Sequence, residues 1–264
     1  MRLTEQYRPK TLADVVGQPV VQRHLMPLVR RPAASCWLFE GDGGVGKTAS
    51  AYALAADLGV DMTWDFVHVC ASELDIDFCR RLWTGRLNYV PRNQWKMLLI
   101  EELDALPSDQ VHRFLKDELQ TCRLKPTLIV AATSNDISKL SKPFLQRFQT
   151  CHFECGVQFA AAMRKRLAEV WSEVATGPLP PEARNWGRDG EGWSMRVALD
   201  ELENHLSALR PRCATRGTPS VPFSPSWKGV QREVPTGFSQ RAVAVLRHRL
   251  RRTRGTVRIA RRRR

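Results

Sequence analysis

Gly41-Asp42-Gly43-Gly44-Val45-Gly46-Lys47-Thr48 constrains this chain more than any other stretch. An apolar run, Cys36 to Phe39, leads into it, and a helix predicted over Ala49 to Leu58 leads out. Gly41, Gly43, Gly44 and Gly46 let backbone N–H groups curl around a phosphate with no Cβ in the way, and Val45 and Ala49 complete the expected binding stretch. The helix N-terminus adds partial positive charge at the same point. Lys47 is expected to reach the β- and γ-phosphates, and the Thr48 hydroxyl to hold Mg²⁺. A glycine-rich turn that binds nothing is the rival reading, but every fixed position is filled and both flanks are correct. The expectation is a nucleoside triphosphate site.

The pattern around that loop predicts the fold. Buried strands are expected at Cys36–Phe39, Asp65–Val69, Lys96–Ile100, Thr127–Ala132 and Cys151–Phe153. Helices are expected at Gly17–Arg30, with Val20, Val21, His24, Leu25 and Leu28 on one face, and at Asp75–Arg86, with Ile76, Cys79 and Trp83 together. Further helices are predicted at Ser108–Leu119 and, shorter, around Asn135–Phe148. Strands alternating with helices imply an α/β domain over 1–154: a five-stranded parallel sheet with helices on both faces. Met1–Lys10 reads as an extended arm, since Arg8-Pro9 disfavours helix. Val157–Val174 and Trp193–Leu209 show helical periodicity without strand signal, predicting a small helical lid domain over 155–209. Residues 210–264 read as a basic, disordered tail.

Charge divides in the same way. Residues 1–209 hold 25 basic and 26 acidic residues, whereas 210–264 hold 16 basic and one acidic residue, Glu233. The net charge of +14 therefore speaks for nucleic-acid affinity in the tail and not in the body. No run has the length of a membrane span, no secretory signal opens the chain, and seven scattered cysteines suit a reducing compartment. A protein of the cytoplasm, of the nucleoid or nucleus, or of a host cytoplasm if viral, not secreted and without a membrane partner, is expected.

Further groups cluster at predicted strand ends. Glu101, Glu102 and Asp104 follow the third strand, where acids can handle Mg²⁺ and water, although acids also favour helix starts. Thr133-Ser134-Asn135 ends the fourth strand, offering hydrogen bonds to a γ-phosphate or ordinary turn chemistry. Arg147 and Arg196, taken singly, read more as solvated charges than as sites. Cys151, His152 and Cys155 read as core and strand exit, not as a zinc site.

The order of these parts carries a resemblance. Tyr7-Arg8-Pro9-Lys10-Thr11-Leu12 with Val16-Gly17-Gln18 resembles the opening of clamp-loader ATPases of the AAA+ superfamily, in particular replication factor C small subunits and their phage counterparts. Cys70-Ala71-Ser72-Glu73 resembles their motif after the second strand, and Glu101-Glu102-Leu103-Asp104 their DEAD-like Walker B. Ile137 to Phe148 resembles the segment from sensor 1 to the Ser-Arg-Cys motif, and Gly192-Trp193-Ser194-Met195-Arg196 the sensor 2 of the lid. The resemblance covers about 1–209.

It implies roles for residues at matching positions. Tyr7 and Arg8 would lie by the adenine of ATP, Lys47 and Thr48 would hold phosphate and Mg²⁺, and Glu101 would sit nearest the metal. Glu102 would be the catalytic base, Asn135 the γ-phosphate sensor, and Arg196 a lid contact to the γ-phosphate. Arg147 would be a finger reaching the ATP of a neighbouring subunit. Other clamp-loader subunits, a sliding clamp and primer–template DNA are the implied partners, with Arg80, Arg81, Arg86, Arg113 and Lys116 as backbone-contact candidates. The pattern departs where Glu101 replaces the usual aspartate, where Phe148 replaces a cysteine, in lacking a zinc insert, and in having the basic tail where a helical collar would stand. A hydrolysis-poor structural subunit lending Arg147 to a neighbour, or another AAA+ DNA motor, are the alternatives.

Overall fold

The computed structural model describes residues 2–121, 125, 127–190 and 192–209, all within one compact unit, Met1–Arg212. The tail expected at 210–264 lies outside the described residues. Five strands form the sheet: β1 (Ser35–Glu40), β2 (Phe66–Cys70), β3 (Lys96–Glu101), β4 (Leu128–Ser134) and β5 (Gln149–His152). Their order is β2-β3-β4-β1-β5, and every neighbouring pair is parallel. β1, β3 and β4 are buried at nearly every position because the sheet is covered on both faces.

The alternation of side chains along each strand separates two cores. Trp37, Phe39, Met97, Leu99, Ile129 and Ala131 pack on one face, with helices α2 (Pro19–Arg30), α3 (Lys47–Asp57), α7 (Val157–Val174) and α8 (Met195–Leu209). Cys36, Leu38, Leu98, Ile100, Val130 and Ala132 pack on the other, with α4 (Ile76–Arg81), α5 (Asp109–Thr121) and α6 (Lys142–Leu145). α3 can lie close against the sheet because Ala51, Ala53 and Ala55 bring little bulk to its buried face. α5 turns Val111, Leu115 and Leu119 inward at intervals of four, as an amphipathic helix must.

Several local expectations are corrected. The N-terminal arm is not wholly extended: α1 (Leu3–Gln6) forms one turn. Leu3 is buried there and its N–H reaches Glu203 on α8, so tertiary packing outweighs the weak local signal. Val20 and His24 are exposed, and α2 buries only Val21, Leu25 and Leu28, a narrower stripe than predicted. The helix after Asp75 changes after Arg81 to a π-turn over Leu82–Arg86. Buried Lys96 secures the end of that turn by donating to the carbonyls of Arg86 (2.7 Å) and Tyr89 (2.6 Å). Beyond α7, where no strand was expected, β6 (Arg188–Asp189) and β7 (Gly192–Trp193) make a two-residue antiparallel ribbon, and α8 starts only at Met195.

Candidate nucleotide-binding site

The strand order places the loop after β1 beside the C-terminal ends of β3 and β4. In register, Glu40 stands opposite Ser134, and Ile100 opposite Ala132. β1 lies between β4 and β5, so the chain leaves β1 in one direction to β2 and returns on the other side. Crevices at such switch points, outside the strand C-termini, are where open α/β sheets take ligands. A cleft of about 1030 Å³ opens here. Tyr7, Arg8, Gly43 to Ala49, Glu101, Glu102, Thr133, Asn135 and Arg196 all line it.

The loop's backbone requires glycine at defined points. Gly44 and Gly46 have φ of 72° and 103°, and Gly46 caps α3 in the left-handed region. A Cβ on Gly41, at φ 144°, would lie 2.5 Å from the Phe153 carbonyl oxygen. Gln18 braces the loop from the side, donating to the carbonyl of Glu154 (2.8 Å) and accepting from that residue's N–H (3.1 Å).

Lys47 Nζ donates to the carbonyls of Gly41 and Asp42, both at 2.6 Å, and to Asn135 Oδ1 at 2.8 Å. Burial pulls its ammonium down to about 8, while the Asp42 and Asp104 carboxylates act the other way. Asp104 organises the end of β4, accepting from the Ser134 hydroxyl (2.9 Å) and the Asn135 N–H (3.2 Å). Glu102 donates its N–H to Thr133 Oγ1 (3.2 Å) and, among the described residues, is the single non-glycine with positive φ, 54°. A glutamate has no intrinsic preference for that region, and such backbone occurs where the surroundings impose it, often at functional sites.

Thr48 Oγ1 donates to Glu101 Oε1 at 2.5 Å, and Glu101 Oε2 lies 2.9 Å from His68 Nε2. Hydroxyl and carboxylate thus sit side by side at the start of α3. That pairing fits Mg²⁺, which takes one or two protein oxygens and completes its octahedron with nucleotide phosphates and water. Also lining the cleft, the Arg166 guanidinium lies 5.7 Å from the centre of the Tyr7 ring. Burial and then the hydrogen-bonded Glu173 carboxylate raise the Tyr7 hydroxyl above its ordinary range.

The remaining predicted residues lie elsewhere. Arg147 does not line the cleft: its guanidinium bonds the carbonyls of Lys116 (3.3 Å) and Pro143 and the Gln120 side chain (3.0 Å). Arg80, Arg81 and Arg86 belong to α4 and its π-turn, and Arg113 and Lys116 to α5, two segments joined by an edge-to-face contact of Trp83 with Phe114. Arg80 pairs with Asp77 (3.5 Å), Arg113 bonds the Asp109 carbonyl (3.2 Å), and Arg86 reaches two carbonyls, those of Thr63 (3.4 Å) and Phe66 (3.3 Å). Cys151 is core, its thiol pushed up to about 11 by burial, and Cys155 donates to Asp42 Oδ2 at 2.8 Å.

The sequence reading missed His68, Tyr52, Arg166 and Glu173. A histidine inside the apolar run Phe66–Cys70 was the one signal available for the first. Arg166 and Glu173 are seven apart on α7, which puts them on one face without saying what that face meets.

The ATPase family associated with various cellular activities (AAA) matches residues 37–154, from β1 to just past β5. Residues 37–154 are thus AAA-like. It is 33% identical over 173 residues to the replication factor C small subunit of Archaeoglobus fulgidus, covering 63% of this chain and 52% of the relative. It is 34% identical over 219 residues to the same subunit of Methanocella arvoryzae, covering 78% and 62%. The chain therefore spans between half and two thirds of the length of these relatives. In structure it resembles the Holliday junction branch migration motor RuvB of Thermotoga maritima, with a TM-score of 0.59 and 19% identity over 76% of this chain and 67% of that one. At that identity the likeness concerns the fold alone. AAA domains bind nucleotide, and the cleft is the candidate place for it here.

Proposed function

We propose that this protein is a clamp-loader subunit of the replication factor C small-subunit type. It binds ATP with Mg²⁺, assembles with like or related subunits, and hydrolyses ATP in loading a sliding clamp onto primer–template DNA. The reading rests on identity above 30% to replication factor C small subunits, together with a cleft that gathers Lys47, Thr48, Glu101, Glu102 and Asn135. A soluble cytoplasmic or nucleoid location follows from that role, and among the described residues no helix is long and apolar enough to cross a membrane.

The chain's own residues divide the work. The loop amides and Lys47 bind the phosphates, with Lys47 exchanging its bonds to the Gly41 and Asp42 carbonyls for phosphate oxygens. Asn135 senses the γ-phosphate, a role its bond to Lys47 supports. Glu102 accepts a proton from the attacking water, and its backbone bond to Thr133 holds it at the strand end. Thr48 and Glu101 would hold Mg²⁺, which would supply neutralisation of phosphate charge. Residues 155–209 act as the lid that brings Arg196 to the cleft. Tyr7 and Arg8 border the adenine.

Arg147, fixed outside its own cleft, serves a neighbour's ATP. α4 and α5 offer Arg80, Arg81, Arg113 and Lys116 to the DNA backbone, with Arg86 contributing less. A hydrolysis-poor subunit that lends Arg147 and turns over little itself is the second reading, favoured by the longer Glu101 side chain.

Equilibrium ATP binding, combined with co-purification with a sliding clamp and partner ATPases, tests the proposal. Binding and association support it. A protein that neither binds ATP nor associates with clamp or partner is not a clamp-loader subunit.

A further inference from the structure

Glu101 has one methylene more than aspartate, and its reach ends on β2. Oε1 accepts from the Thr48 hydroxyl at 2.5 Å, and Oε2 lies 2.9 Å from His68 Nε2. The register explains the meeting. His68 stands opposite Leu99, and Leu99 and Glu101 share a face of β3, so His68 and Glu101 are diagonal neighbours across a parallel pair. A carboxylate only accepts hydrogen bonds, so Nε2 carries the proton. The other ring nitrogen, Nδ1, lies 3.0 Å from the Tyr52 hydroxyl on α3, and the ring edges meet at 87°. The Arg8 guanidinium covers the Tyr52 ring at 4.8 Å. Four side chains from the N-terminal segment, α3, β2 and β3 thus run in contact to the carboxylate beside Thr48.

We propose that His68 is a positioning residue for the metal site: its Nε2–H holds the outer oxygen of Glu101, so that the inner oxygen stays at the Thr48 hydroxyl. An unrestrained glutamate has three rotatable bonds, and its carboxylate would spend much of its time away from Thr48. The histidine takes up that freedom, and Tyr52 fixes the orientation of the imidazole. An aspartate at 101 would need no such support, because its shorter side chain cannot span from Thr48 to His68. Outer partners of this kind usually change metal affinity by about 10–100-fold when removed. The inference rests on the proposed function for the identity of the ion, and its test separates the two.

The experiment uses the full chain with Mn²⁺ as probe. Free Mn²⁺ is followed by electron paramagnetic resonance in the presence of ADP, and ADP binding is measured separately in EDTA. His68→Ala is expected to weaken Mn²⁺ binding about tenfold while leaving metal-free ADP binding unchanged. His68→Gln, which keeps an N–H donor near the position of Nε2, is expected to restore most of the loss. In a Glu101→Asp background the same His68→Ala step is expected to have no effect. Unchanged Mn²⁺ affinity in His68→Ala overturns the inference. So does an equal loss in the Glu101→Asp background, since that would mark a general disturbance of β2. Absence of ADP binding by the unsubstituted protein in EDTA and with metal would instead overturn the nucleotide reading.

Discussion

The Met195 N–H donates to the Gly44 carbonyl at 3.0 Å, which ties the middle of the glycine loop to the first residue of α8. Ser194, almost fully buried, presses on the same glycine and accepts from the Val197 N–H to start that helix. The loop that would cradle phosphate and the helix that carries Arg196 therefore share one joint. Any change in the angle of α8 acts directly on the loop.

The joint predicts opposite behaviour for two adjacent glycines. A Cβ at Gly44 would lie 1.9 Å from Ser194 Oγ, at a φ of 72°, whereas a Cβ at Gly43 meets nothing within 4 Å. Gly44→Ala should lower stability by about 1–3 kcal/mol, read by urea denaturation. Gly43→Ala should leave stability unchanged and weaken nucleotide binding, because its Cβ enters the cleft. Equal stability losses in the two variants would contradict the account.

Arg147 offers a second test. Its bonds to Lys116, Pro143 and Gln120 keep it out of its own cleft. Arg147→Ala should leave ATP affinity unchanged and reduce turnover in the assembled complex by about 10³-fold. Mixing it with Glu102→Gln subunits should restore part of the activity, since each supplies what the other lacks. A fall in the variant's own ATP affinity would argue against action on a neighbour.

Cys151 predicts a pH dependence. Its thiol is pushed up to about 11 by burial, from an ordinary value of 9.0. Between those values the folded chain binds more protons at this site than the unfolded chain, so stability falls as pH rises. The contribution is fully present below about pH 9 and lost by about pH 11, at most about 3 kcal/mol. The stability advantage of the native protein over Cys151→Ala should shrink by that order across this window. A constant difference would show that the thiol titrates normally.

The fold was legible because its signals are continuous. Cys36–Phe39 and Met97–Ile100 are unbroken apolar runs, the pattern of a strand buried on both faces. The glycine loop was legible for a related reason, since Gly44 and Gly46 occupy backbone that other residues resist. Leu3–Gln6 was not legible, because its helical turn is held by α8, two hundred residues on. The exposure of Val20 and His24 depends on how α2 sits on the sheet, which periodicity alone does not specify.

Within the cleft, residues embedded in a motif could be singled out: Lys47, Thr48, Glu101, Glu102, Asn135 and Arg196 all line it. His68 and Tyr52 could not, because their relation to Glu101 arises from strand register and helix placement. The positive φ of Glu102 was equally hidden.

The most direct measurement is steady-state ATP hydrolysis by the full chain with its partner subunits, with and without primer–template DNA and clamp, using Glu102→Gln as the blank. The account predicts turnover that DNA and clamp stimulate and that vanishes in the variant while ATP binding persists. Hydrolysis that is insensitive to DNA and clamp, or that survives Glu102→Gln, would contradict it.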